Sequence, residues 1–226
     1  MEKEESLPEK VVSILKKFGI DLEALKSEQR KLAKQVKLKD SVDFSDVKMI
    51  AGVDVASVGK DIIAGIVVLN SDMETVEEKF VARKADFPYV SGFRSYRELP
   101  AIMECFQKLE SDADLFIVEG NGILHPRRFG IASHFGILVQ KPTIGVAKNL
   151  MFGDEKEGKV YADSEVLASA LVTKEGSNPI YISPGHMISL KNATDIVRKL
   201  IRPPHKLPEP LDAAHRYVNK ISDELK

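Results

Sequence analysis

Three apolar segments, Lys48 to Ala56, Ile62 to Leu69 and Val76 to Arg83, follow one another with only short turns at Gly59-Lys60-Asp61 and Ser71-Asp72 between them. Links this short join antiparallel neighbours, because a parallel pair needs a crossover of about a dozen residues or more. The chain therefore opens its sheet as a meander. Beyond it the pattern alternates: a helix from about Phe93 to Leu109, a buried strand Leu115 to Val118, a helix from about Arg128 to Val139 and a strand Thr143 to Val146 make a strand-helix-strand crossover. Val166 to Thr173 and Pro179 to Ser183 read as a hairpin, followed by helices near Asn192 to Leu200 and Glu209 to Leu225. Ahead of the meander, Leu7 to Lys17 and Asp21 to Lys39 read as two helices parted at Gly19, with Asp21 as an N-cap. The expected class is α/β, a mixed sheet of antiparallel meander and parallel strands flanked by helices. With 226 residues, 43% of them hydrophobic, and no repeat or linker, residues 1–226 are expected to form one domain with a sizeable core.

Three acids stand out against this frame. Asp54 closes Met-Ile-Ala-Gly-Val-Asp and Glu119 closes Leu-Phe-Ile-Val-Glu, so both read as carboxylates at strand ends. Glu98 falls in the first turns of the helix after Phe93. Taken singly, each reads equally as a surface acid or a cap. Together, beside buried apolar runs, their charges need a cation, and a hard oxygen-preferring ion such as Mg²⁺ is the natural one.

Gly120-Asn121-Gly122-Ile123-Leu124-His125-Pro126-Arg127-Arg128 adds pliable backbone, an imidazole and guanidiniums directly after Glu119. His125 is expected to be exposed there, near a phosphate, with loop filling as the alternative. In Phe87-Pro88-Tyr89-Val90-Ser91-Gly92, proline stiffens and glycine turns the backbone, presenting Tyr89 as a ring able to enter a base stack or to cover the core. Lys148 follows a strand on the edge where open α/β sheets carry ligands, and His215 reads equally as a core histidine or a metal partner. His134 and His186 are explained by packing, and His205 reads as surface. A net charge of −1 from 33 basic and 34 acidic residues gives no global pull toward nucleic acid, so any such contact needs a local basic face. One cysteine, Cys105, excludes an internal disulfide and a cysteine-based zinc site and reads as buried filler. A charged N-terminus with no apolar stretch behind it points to a cytoplasmic, membrane-free monomer.

At these residues the sequence resembles the endonuclease V family, the deoxyinosine 3′ endonucleases. The resemblance is carried, in order along most of the chain, by Ile50-Ala51-Gly52-Val53-Asp54, Phe87-Pro88-Tyr89, Arg97-Glu98, Gly122 through Arg128 and Gly130-Ile131-Ala132-Ser133-His134. It continues through Pro142 to Lys148, Lys174-Glu175-Gly176-Ser177, Ser183-Pro184-Gly185-His186, Pro208-Glu209-Pro210 and Ala214-His215. It implies a ribonuclease H-like fold and hydrolysis of the second phosphodiester bond 3′ to deoxyinosine in DNA, or to inosine in RNA, leaving a 3′-hydroxyl and a 5′-phosphate. It also implies that Asp54 and Glu119 hold Mg²⁺, for which Mn²⁺ substitutes, with Glu98 and His215 completing or orienting the shell and Lys148 at the water or the developing charge. Tyr89 and Pro88 become a strand-separating wedge, and Gly92, Gly120, Asn121 and Gly122 line a pocket for the turned-out base. His125, Arg127, Ser183 and Gly185 fall in blocks assigned to nucleic-acid binding.

The chain departs from the family pattern at two of these positions. Ser91 stands where the wedge usually ends in a second proline, and Glu119 stands where the family usually carries Asp. The longer acid opens an alternative, a module that binds inosine-containing or distorted nucleic acid but cleaves weakly. A junction-cutting nuclease of the same fold is a further alternative, in which Tyr89 has no role.

Overall fold

The computed structural model describes residues 9–226. The meander is realised as β1 (Ile50–Val58), β2 (Asp61–Leu69) and β3 (Thr75–Lys84), antiparallel throughout. Strands β4 (Leu115–Glu119) and β5 (Thr143–Ala147) continue the sheet in parallel with β1, joined through helix α4 (Ile131–Val139) in the expected crossover. Beyond β5 lie β6 (Asp154–Lys156), β7 (Lys159–Ala162), β8 (Glu165–Leu171) and β9 (Ile180–His186). The order across the sheet is β3-β2-β1-β4-β5-β9-β8-β7-β6. The hairpin expected near 166–183 is present as β8 and β9.

The layers follow from what each strand must bury. Every residue of β2 after Asp61 is buried, a pattern that needs cover on both faces. Helix α3 (Arg94–Phe106), together with α4, covers Ile62, Ala64, Ile66 and Val68, while Ile63, Val67 and Leu69 pack against helix α6 (Glu209–Glu224). Each such isoleucine or valine contributes about 2 kcal/mol of burial. Helix α5 (Leu190–Lys199) joins α6 over Ile117, Ile144 and Ile182. Strand β3 alternates exposed and covered residues, as an edge strand does. Cys105 is fully buried among the α3 apolar residues, as expected, and its Sγ donates to the Lys79 carbonyl at 3.1 Å.

Several boundaries differ from expectation. Helix α1 (Glu9–Lys17) matches the described part of the first expected helix, whose Leu7 and Pro8 lie outside the described residues. Helix α2 (Leu22–Ala33) is capped by Asp21, whose Oδ1 accepts from the N–H groups of Glu23 and Ala24, but it stops short of Lys39. After Ala33 the chain leaves the helix so that Val36 packs beside Leu124 and Val160. The β6–β7 hairpin was not expected, because Asp154–Lys156 is charged and wholly exposed and so carries no apolar alternation.

Helix α6 approaches β1 unusually closely. A methyl group built on Gly52 would lie 1.8 Å from the Pro210 carbonyl oxygen, so only glycine admits this contact. Gly52→Ala is accordingly expected to lift the start of α6 and cost about 3 kcal/mol. Urea unfolding monitored by circular dichroism checks this, and an unchanged midpoint would contradict it.

Candidate active site

The close seating of α6 determines where His215 points. Its Nδ1 lies 2.6 Å from Asp54 Oδ2, and its Nε2 lies 3.2 Å from Asn219 Nδ2 one turn further along the helix. Because the Asn219 amide donates, Nε2 accepts, and Nδ1–H is then the proton given to Asp54. The other Asp54 oxygen, Oδ1, accepts from the Val55 N–H at 2.8 Å. Asp54 is 5% exposed, so its carboxyl group is almost wholly withdrawn from water. It is not at a strand end, as the sequence suggested: β1 runs on to Val58 against β2, and it is only the pairing with β4 that stops at Val53. The register Val53↔Val118 nevertheless sets Asp54 beside Glu119.

Glu119 closes β4 as expected, and Glu98 lies in the second turn of α3, nearly buried. Between them stands Arg94, which local sequence pattern did not single out. Its Nε donates to Glu98 Oε2 at 2.6 Å and its Nη2 pairs with Glu119 Oε2 at 2.6 Å. Burial pushes the Glu98 carboxyl above its usual range; Arg94 pulls it back, while the charges of Glu119 and Asp54 push it further up. Lys148 is half-buried just past β5, two residues beyond Val146, which pairs with Glu119.

Among the described residues, no three His, Cys, Asp or Glu side chains already stand together as a ready coordination shell. The donors nonetheless suit a hard divalent ion. Asp54, Glu98 and Glu119 set three carboxyl groups on this edge against the single guanidinium of Arg94, a set of oxygen donors that attracts a divalent cation.

The adjoining loops divide into exposed and buried parts. Tyr89 is 65% exposed, which removes the core-covering reading, and Pro88 beside it is half-buried. His125, expected to be exposed, is instead buried. Its Nε2 donates to the Gly92 carbonyl at 3.0 Å and its Nδ1 accepts the Arg127 N–H at 3.1 Å. Arg127 is buried as well: Nη2 donates to the same carbonyl at 2.8 Å, Nε donates to Gln29 Oε1 at 2.6 Å, and the guanidinium lies 4.6 Å over the Phe93 ring. Gln29 of α2 completes this group through Nε2 to Gly92 at 3.1 Å. Both were expected as phosphate contacts; the structure uses them to fix the turn below Tyr89, because a bulky cation next to Phe93 is held by the ring and by a loop carbonyl.

Ser183 and Gly185 are likewise buried, in β9, and the Ser183 hydroxyl accepts the Gly122 N–H at 2.8 Å. The Gly120 N–H donates to Val146. Two of the backbone donors expected to line a base pocket, those of Gly120 and Gly122, are thus already engaged, since a buried N–H left open would be costly. Asn121 is half-exposed, and its buried Oδ1 has no hydrogen-bond partner. Asn219, Arg94 and Gln29 all escaped the sequence reading. A faint signal existed for Asn219 alone, four residues after His215 on a helix face.

The mixed sheet, with its parallel and antiparallel strands flanked by helices, places the chain in the ribonuclease H-like fold class. Residues 30–216 match the endonuclease V family model. The endonuclease V of Dictyoglomus turgidum is 38% identical over 202 residues, 85% of this chain and 87% of that protein. That of Trichormus variabilis is 38% identical over 211 residues, 87% and 90% of the two chains. Among solved structures, endonuclease V of Bacillus subtilis superposes with a TM-score of 0.84 at 29% identity, covering 91% of this chain and 93% of that one. Endonuclease V of Ciona intestinalis, solved with a 24mer DNA containing an inosine followed by a ribo-adenosine, gives 0.83 at 27% identity, with 91% and 98% covered. The chain belongs to the endonuclease V family and is a nuclease that hydrolyses phosphodiester bonds.

Two histidines near the loop predict an acid-sensitive fold. Burial, reinforced by the charge of Arg127, holds His125 down at about 4 against the pull of the Gly92 carbonyl. Burial likewise holds His134 down at about 4, its ring 4.9 Å from that of Phe129 and 5.7 Å from that of Tyr96. Between these values and the ordinary 6.5, the unfolded chain binds protons that the folded one refuses. Stability is then complete above that pH and falls as pH drops toward 4, by about 1.4 kcal/mol per pH unit for each histidine. His134→Leu, which also removes an unpartnered buried Nδ1, is expected to flatten the slope by one histidine's share in urea titrations between pH 7.5 and 4.5. A variant whose slope equals the parent's would contradict this.

Proposed function

We propose that this endonuclease acts on deoxyinosine in DNA and inosine in RNA, as a cytoplasmic monomer, cutting the second phosphodiester bond 3′ to the lesion. The observation that carries the reading is that Asp54, paired with His215, and Glu119, linked through Arg94 to Glu98, stand on neighbouring parallel strands, with Tyr89 exposed in the loop that leads into the helix of Glu98. Mg²⁺, or Mn²⁺ in its place, would be held by Asp54 and Glu119 with Glu98 and His215 alongside, and supplies Lewis-acid polarisation of the scissile phosphoryl oxygen when bound. Asp54 does two things here: it offers a carboxylate to the site and keeps the His215 ring in one tautomer and orientation through Nδ1. That leaves Nε2, now facing Asn219, as the imidazole atom able to accept a proton or meet a ligand.

Lys148 stands past the neighbouring strand end, where an ammonium would offset charge building on the phosphate or orient the attacking water. Tyr89 enters the duplex with Pro88 stiffening its approach, while Gly92, His125, Arg127 and Gln29 hold the turn from beneath. Asn121, whose Oδ1 has no protein partner, is the side chain best placed in the Gly120-Asn121-Gly122 loop to read the base edge. Gly120, Gly122, Ser183 and Gly185 shape that loop from inside. The fully engaged guanidinium of Arg94 between Glu98 and Glu119 is the one observation favouring the alternative of a binder that cleaves weakly.

A duplex labelled at one end and carrying one deoxyinosine, incubated with the protein and Mg²⁺, should be nicked once, at the second bond 3′ to the lesion. An RNA carrying inosine forms the parallel arm. A retarded but uncut complex would instead identify a binding module, and cleavage confined to branched DNA a junction nuclease. Asp54→Ala should abolish nicking and leave duplex affinity largely intact; substantial nicking by the folded variant would remove the metal assignment.

Stacking by Tyr89 should be worth about 1 to 3 kcal/mol. Tyr89→Ala is therefore expected to weaken binding of the inosine duplex roughly tenfold or more, with Tyr89→Phe retaining most of it. Equal affinity for parent and alanine variant, read by fluorescence anisotropy, would exclude the wedge.

A further inference from the structure

The guanidinium of Arg94 stands where two carboxylates of the proposed ion site meet. The contact to Glu98 follows from i,i+4 spacing on α3, and the contact to Glu119 reaches across to the end of β4, both at 2.6 Å. Gly120, with φ +128, lies beneath it: a methyl group there would fall 2.7 Å from Ile131 Cγ2 and 3.2 Å from Arg94 Nη1. The two carboxylates hold the guanidinium from either side through Nε and Nη2. An aspartate at position 119 would carry its carboxylate one C–C bond less far, away from Arg94.

We propose that Arg94 is a tethered counter-cation that competes with the divalent ion for Glu98 and Glu119, and that glutamate stands at position 119 in this chain because its extra methylene reaches Arg94. The inference rests on reading Asp54 and Glu119 as the ion ligands. Without an ion, Arg94 keeps two like charges from repelling each other. An ion held by Glu119 draws on the same carboxylate charge that Arg94 already neutralises through Oε2, so loading the site weakens a charge-assisted hydrogen bond. Arg94 is a positioning residue in this scheme: it sets how tightly the ion is held and where Glu119 waits before the ion arrives.

The test reads Mn²⁺ binding to the free protein, without nucleic acid, from the electron paramagnetic resonance of unbound ion, together with the melting temperature of the metal-free protein. Arg94→Leu is expected to bind Mn²⁺ about tenfold more tightly, the equilibrium equivalent of one charge-assisted hydrogen bond. It should melt lower than the parent without ion and gain more from saturating Mn²⁺. Glu119→Asp keeps the charge, withdraws the reach and gives a second variant should Arg94→Leu fold poorly; it too should bind Mn²⁺ more tightly. Adding it to Arg94→Leu should change little.

Unchanged or weaker Mn²⁺ affinity in these variants overturns the proposal. Asp54→Ala tells that failure from failure of the ion site itself. Loss of Mn²⁺ binding in Asp54→Ala, combined with unchanged affinity in Arg94→Leu, removes the role of Arg94 alone. Mn²⁺ affinity indifferent to Asp54→Ala overturns both.

Discussion

Helix α6 rests on the bare backbone of β1 at Gly52, and from this contact the geometry of the acidic edge follows. The helix carries His215 to within 2.6 Å of Asp54 because its first turn meets a residue without a side chain. Asp54 is buried, and a buried carboxylate is tolerated when hydrogen-bond donors and positive charge surround it. The imidazole of His215 and the Val55 N–H meet the first need. The second is what the proposed divalent ion would supply.

The two sides of the acidic edge are held by different physics. On the Asp54 side an imidazole, itself contacted by Asn219, orients the carboxylate. On the Glu119 side a full cation, Arg94, is gripped by two acids. The Asp54 half of the acidic edge is therefore held by an imidazole and a backbone N–H, and the Glu119 half by a guanidinium. Below the loop of Tyr89 the same economy appears: a single carbonyl, that of Gly92, gathers Gln29, His125 and Arg127. The exposed Tyr89 ring is thus mounted on a turn with little freedom, even though Ser91 stands where the family usually has a stiffening proline.

Much of the sheet was legible in the sequence because its strands are short apolar runs with tight turns, and period and turn chemistry are local properties. The meander, the β4–α4–β5 crossover and the β8–β9 hairpin all follow from such patterns. The β6–β7 hairpin was illegible since Asp154–Lys156 buries nothing, and α2 ends early because Val36 is drawn into a cluster built from distant strands. At the site, Asp54, Glu119, Glu98 and His215 were visible as residue types in a recognisable order. Arg94, Gln29 and the burial of His125 and Arg127 were not, because their partners lie far along the chain and only the fold brings them together.

The central claim, that the edge of β1 and β4 holds a divalent ion, is tested most directly by anomalous diffraction. Crystals of the protein grown with a deoxyinosine duplex and Mn²⁺, measured at the manganese absorption edge, should show density for an ion between Asp54 and Glu119, with the Arg94 guanidinium turned away from Glu119. A map with no anomalous peak at these carboxylates, and Arg94 still bridging Glu98 and Glu119 beside bound duplex, would contradict the account.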